Sequence, residues 1–87
     1  MVSSVCNNLF ITFIVMNLNS LVNKVNLVFD LVSSLNIGLC CVCETWLNSD
    51  ILDSVVSFQG YKFFRNDSLS NLRIHGVGLY VRDDIKV

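Results

Sequence analysis

The fold is decided by residues 9–43, LFITFIVMNLNSLVNKVNLVFDLVSSLNIGLCCVC. The opening segment, Leu9–Met16, is apolar apart from Thr12 and rich in β-branched and aromatic side chains. No polar face recurs at helical spacing, so it reads as a strand buried on both sides. Asn17–Ser20 is a polar turn, and Ser20 is placed to cap a helix, its hydroxyl accepting from a backbone N–H one turn in. Leu21, Val25, Val28, Val32 and Leu35 then recur at steps of four and three, one apolar stripe along a helix. Asn23, Lys24, Asn26 and Asp30 fall mostly off the stripe, and Asn36 with Gly38 supplies the stop. Leu39–Cys43, LCCVC, is a second short apolar run with strand character. Strand, helix and strand at this spacing make a βαβ-like unit.

Working outward, Asn48–Asp50 reads as a loop, with Asp50 placed to cap a brief helical turn over residues 51–55. Gly60 breaks the chain ahead of a third strand, Tyr61–Arg65. A polar, irregular stretch, Asn66–His75, leads into a fourth strand, Gly76–Arg82, whose glycines allow close backbone approach. Toward the N-terminus, residues 1–8 read as a tail. The expected architecture is α/β, a partial mixed sheet of about four strands with one main helix on a face, forming one domain over residues 9–87.

Hydrophobic residues make up 53% of the chain and charged residues 15%, against typical shares of ~45–50% and ~25%. A chain this short buries only about 60–65% of its surface. Excess apolar surface is therefore expected to stay in water unless a partner layer covers it. The net charge is −1, and five of the six basic residues (Lys62, Arg65, Arg73, Arg82 and Lys86) are dispersed over the last third. That excludes the basic stripe of a phosphate-tracking surface.

Residues 1–23 carry no charge, yet the eight-residue apolar run is far short of a membrane span, which needs ~20 residues. No basic residue precedes it and no small-residue cleavage site follows, so neither a transmembrane segment nor a secretory leader is expected. Cys40, Cys41 and Cys43 are too closely spaced for the usual zinc patterns, and Cys6 is remote. Inside an apolar run they read as small hydrophobes. The expected location is intracellular, nucleus or cytoplasm.

Two residues stand where chemistry collects. Glu44 is the only acidic residue between Asp30 and Asp50, and it closes the second apolar run. Ligand sites of open α/β sheets gather at the carboxyl ends of strands. A carboxylate there suits a hard cation such as Mg²⁺, with water and phosphate filling the remaining positions. Asn17 closes the first run; if the two strands are neighbours, its amide shares a rim with Glu44 and can bond a carboxylate or phosphate oxygen. Position alone also fits a surface carboxylate and an ordinary turn residue. Trp46, Tyr61, Phe63 and Phe64 read as core aromatics rather than a base-stacking platform, and His75, the one histidine, as a loop residue.

Asn17-Leu18-Asn19-Ser20-Leu21, a helix, a short apolar strand and Glu44-Thr45-Trp46-Leu47, taken in this order, resemble the N-terminal part of the endonuclease/exonuclease/phosphatase (DNase I-like) family. The likeness is greatest to the endonuclease domain of non-LTR retrotransposons. Gly60-Tyr61, Arg65-Asn66-Asp67 and Gly76–Val81 continue the pattern, so the resemblance covers roughly residues 10–87. It departs at Ile37-Gly38, where the family has Pro-Asp, at Ser68, where it has Arg, and at His75, where its glycine run begins.

The resemblance implies a four-layer α/β/β/α sandwich of which this chain is the first portion. It also implies Mg²⁺-dependent phosphodiester cleavage, with DNA as the parent's substrate. Glu44 stands at the family's metal-binding glutamate, and Asn17 at the asparagine that supports the metal and phosphate site. The family's Gly-Asp-Phe-Asn, Asp-x-Asn and Ser-Asp-His segments have no counterpart here. The chain is accordingly expected to be a truncated, inactive fragment of such an enzyme. The alternative is a small non-catalytic protein that binds a partner through an exposed sheet face.

Overall fold

The computed structural model describes residues 2–7, 11–67 and 75–86. Its centre is the expected βαβ unit. Strand β2 (Thr12–Asn17) pairs in parallel with β3 (Leu39–Cys43), in the register Phe13↔Leu39 to Asn17↔Cys43. Helix α1 (Val25–Ser34) connects them after a single 3-10 turn, Val22–Lys24. Beyond β3 come a short helix, α2 (Asp53–Val56), and an antiparallel pair, β4 (Tyr61–Asn66) and β5 (Val77–Arg82). Strand β5 lies against β3, also antiparallel. The fold is thus a mixed α/β sheet with one main helix on a face.

The chain departs from the expected elements in several places. Residues 2–7 are not a tail: they form an edge strand, β1 (Val2–Asn7), antiparallel to β2, which raises the sheet to five strands in the order β1-β2-β3-β5-β4. A register shift between Val2 and Ser4 breaks the two-residue period that would have marked it. Strand β2 starts at Thr12 and ends on Asn17; Leu9 and Phe10 lie outside the described residues, as do positions 68–74 of the polar stretch.

Ser20 does not cap the helix. Its φ is 114°, its N–H donates to the Glu44 carbonyl at 2.8 Å, and no side chain caps either helical turn. Lys24 closes this corner instead, its Nζ donating to the Leu18 carbonyl at 2.6 Å. Asp50 likewise caps nothing. Its N–H donates to Asn48 Oδ1 at 2.9 Å, an Asx turn, and the short helix begins only at Asp53.

The helical stripe packs largely as its spacing requires. Leu21, Val28 and Val32 are buried and Val25 packs against the core, while Leu35 is exposed past the helix end. Beneath them lie Ile14 and Met16 of β2, Cys40 and Val42 of β3, and Tyr80 of β5, all buried. Phe58 stacks on Tyr80 with ring centroids 4.3 Å apart and meets Tyr61 edge-on, and Phe63 tilts against Tyr80 at 4.5 Å. The two tyrosine hydroxyls reach backbone carbonyls, Tyr80 to Val56 and Tyr61 to Ile37 and Val32, so neither phenol is left unpaired.

The opposite sheet face differs. On strands β2 to β5, Phe13, Val15, Leu39, Cys41 and Leu79 are half-buried, Phe64 and Val77 remain 46% and 41% exposed, and Val81 at one end is fully covered. Among the described residues no helix crosses this face, and none is long and apolar enough to cross a membrane.

Candidate functional site: the carboxyl rim of the parallel pair

The carboxyl ends of β2 and β3 form one rim. Asn17 is the last residue of β2, aligned with Cys43, and Glu44 follows directly after β3. The two sequence candidates therefore lie at the same edge of the sheet, Asn17 level with Cys43 and Glu44 one residue past it, and no direct hydrogen bond joins their side chains. Asn17 is exposed and shares the register row of Cys43, Val77 and Asn66, at the end of the open sheet face. Glu44 is half-buried.

Backbone bonds past the strand ends hold the two turns together. Leu18 N–H donates to Cys43 O at 3.1 Å, Ser20 N–H to Glu44 O at 2.8 Å and Leu21 N–H to Thr45 O at 2.9 Å. On the other side Thr45 N–H donates to Gly76 O and Trp46 N–H to His75 O, at 3.2 and 2.8 Å. Glu44–Trp46 is thus clamped between the β2–α1 turn and the entry to β5. The clamp sustains an unusual backbone: Glu44 and Trp46 have φ of 55° and 56°, the left-handed region that costs ordinary L-residues ~1–3 kcal/mol. Thr45 between them is fully buried, with Oγ1 accepting from Leu47 N–H at 3.4 Å.

Trp46 is the residue that sequence reasoning placed wrongly. It is not a core aromatic; it is 46% exposed, while Thr45 and Leu47 on either side are buried. Its Nε1–H donates to Asn19 Oδ1 at 3.0 Å, and its ring stacks on the His75 imidazole with centroids 4.0 Å apart and planes 16° apart. Phe64 too lies open, on the uncovered sheet face, whereas Tyr61 and Phe63 join the core as expected. A strand-end aromatic is ordinarily packed, so nothing in the local sequence marked Trp46 as an outward-facing residue.

The donors at this rim, a carboxylate and an amide, are hard oxygen ligands of the kind Mg²⁺ accepts. Among the described residues no three His, Cys, Asp or Glu side chains come together as a metal group.

Cys43 lies at the rim, level with Asn17, while Cys40 and Cys41 lie further back along β3. Cys40 is buried, and desolvation, with Cys41 adding to it, pushes its thiol up from 9.0 to about 12. Burial, and then Cys43, raises Cys41 as well. Both behave as protonated hydrophobes near neutrality.

No protein-family model matches the chain, and no curated protein matches it.

Proposed function

We propose that this chain is the first portion of a Mg²⁺-dependent phosphodiesterase domain of the endonuclease/exonuclease/phosphatase kind, with DNA nicking as the activity of the whole. Glu44 is its metal-binding carboxylate and Asn17 the amide that orients the metal and phosphate. The observation that carries this reading is the shared rim. Asn17 and Glu44 close adjacent parallel strands, and backbone bonds lock their turns into one unit. The strained φ of Glu44 supports it, since such conformations concentrate where a side chain is aimed for function.

A bound Mg²⁺ would stabilise charge developing on the phosphate. Glu44 holds the cation, and Asn17 donates through its amide N–H to a phosphate oxygen. Phosphodiester hydrolysis also needs a general base and further donors on the non-bridging oxygens. The described residues provide no such set at the rim, so the chain alone is a binding half-site.

The uncovered sheet face supports a second reading, a non-catalytic protein that binds a partner there. Its centre is a groove of about 350 Å³ lined by Phe13, Cys41, Phe64, Val77 and Leu79 among others.

Calorimetric titration with Mg²⁺ and a plasmid-nicking assay separate the two. The phosphodiesterase reading expects weak Mg²⁺ binding that Glu44→Gln abolishes, and no nicking above a Glu44→Ala control. Mg²⁺ binding that is absent, or unchanged by Glu44→Gln, removes the metal role and leaves the partner-binding reading. Nicking that depends on both Mg²⁺ and Glu44 contradicts the half-site.

A further inference from the structure

We propose that Trp46, fixed between Asn19 and His75, is a stacking platform for a single nucleobase next to the Glu44 rim. The inference rests on reading that rim as a phosphodiester site, and it adds how the nucleic acid is gripped.

Three features make Trp46 a presented surface rather than a packing residue. It points outward between two buried neighbours and keeps nearly half its area in water. Its position is fixed in two directions, by the Nε1–H bond to Asn19 Oδ1 and by the imidazole stacked on its ring. Its backbone N–H bonds to the carbonyl of the same His75, so ring and main chain are held by one neighbour. An exposed indole locked in one orientation has already lost the freedom that binding would otherwise remove, which is how preorganised aromatic contacts gain affinity.

The location selects the ligand. Trp46 is two residues from Glu44, and Asn19, which holds the indole, is two residues from Asn17. A phosphate held at the rim thus brings its own nucleoside within the neighbourhood of the ring. The net charge of −1 and the dispersed basic residues give little grip on a duplex backbone. Stacking on an aromatic ring adds a grip that is independent of sequence, because every base has a π-face. The fitting ligand is therefore an unstacked base in single-stranded or locally opened DNA.

Trp46 is the only tryptophan, so its fluorescence reports the site directly. The full chain is titrated with a short oligothymidylate and with an abasic oligonucleotide of equal length, in Mg²⁺ and in EDTA. The same titrations are followed by anisotropy of labelled strands for Trp46→Leu and Trp46→Phe. The base-bearing strand should quench the emission and bind at least about five-fold tighter than the abasic one. Trp46→Phe should keep part of that preference and Trp46→Leu none, while Asn19→Ala weakens it by freeing the ring. Equal affinity of wild type for the two strands, or tighter oligothymidylate binding without quenching, overturns the platform. Glu44→Gln should retain the base preference and lose only the Mg²⁺-dependent gain. If wild type shows the preference but no Mg²⁺ effect, the platform stands and the metal reading falls.

Discussion

Cys40 shows how one buried side chain sets a limit on the whole fold. Its thiol holds its proton more firmly in the folded chain than in the unfolded one, because burial penalises the thiolate. A raised folded value means a contribution that is intact below the usual 9.0 and is lost as pH climbs toward about 12. Burial also raises the Tyr80 hydroxyl, with Cys40 adding to the shift, and this acts in the same direction. Urea melts are therefore expected to show falling stability above pH 9, with Cys40→Val flattening part of the decline. A Cys40→Val profile parallel to wild type would assign the alkaline loss to other groups. Glu44 and Trp46 present the opposite situation: the left-handed backbone of both and the exposure of Trp46 do not stabilise the chain. That Asn17 and Glu44 share one rim followed in the sequence from the condition that the two apolar runs they close are neighbouring strands, and those strands do pair. The outward turn of Trp46 was not legible there, since it arises from the left-handed backbone at residues 44 and 46 and from His75, a residue remote in sequence.

At the scale of elements, two contacts fix how the β4–β5 pair meets the rest. A Cβ on Gly78 would lie 2.5 Å from Phe63 Cε1, 2.7 Å from its Cζ and 3.0 Å from Val42 Cγ2. The Phe63 ring lies over β5 at this glycine and packs on Tyr80, so it has little room to withdraw. Gly78→Ala is expected to cost about 1–3 kcal/mol in a denaturant melt; an unchanged midpoint would show that Phe63 is free to move. Arg65 ties the segment after β3 to β4. Its guanidinium donates to the Asn48 and Ile51 carbonyls at 2.8 and 2.7 Å and pairs with Asp67 at 2.6 Å and Asp53 at 3.0 Å. Arg65→Met leaves those carbonyls without their donor and should cost about 2 kcal/mol. Protease cleavage should then begin within residues 48–53, and cleavage elsewhere would contradict the tie. Strand 39–43, the strand read over 61–65 and found over 61–66, and the helical stripe were readable because burial on one or both faces imposes a period. Strand β1 was not, because an edge strand with a register shift is held by backbone bonds that any sequence can make. The Ser20 cap failed for a related reason: its backbone is committed to the rim, where its N–H meets Glu44 O.

Over the whole molecule, the sheet has one packed face and one half-open face. Phe64 and Val77 keep nearly half their area in water, and Phe13, Val15, Leu39, Cys41 and Leu79 are half-covered. Each large apolar side chain left exposed forgoes roughly 1.5–3 kcal/mol of burial, a substantial fraction of the ~5–15 kcal/mol that holds an ordinary domain together. The chain expressed alone should bind ANS and self-associate with rising concentration. A concentration-independent monomer with a sharp two-state melt and no ANS signal would mean that this face needs no cover. The carboxyl rim of β2 and β3 is the proposed functional end of the molecule. Amide resonances of the ¹⁵N-labelled chain, recorded while Mn²⁺ is added as a paramagnetic stand-in for Mg²⁺, test it most directly. A metal site at the rim should give selective broadening of residues 17–20 and 44–46 that disappears in Glu44→Gln. Broadening centred instead on Asp83 and Asp84, the adjacent carboxylates just past β5, or unchanged by Glu44→Gln, would contradict that assignment.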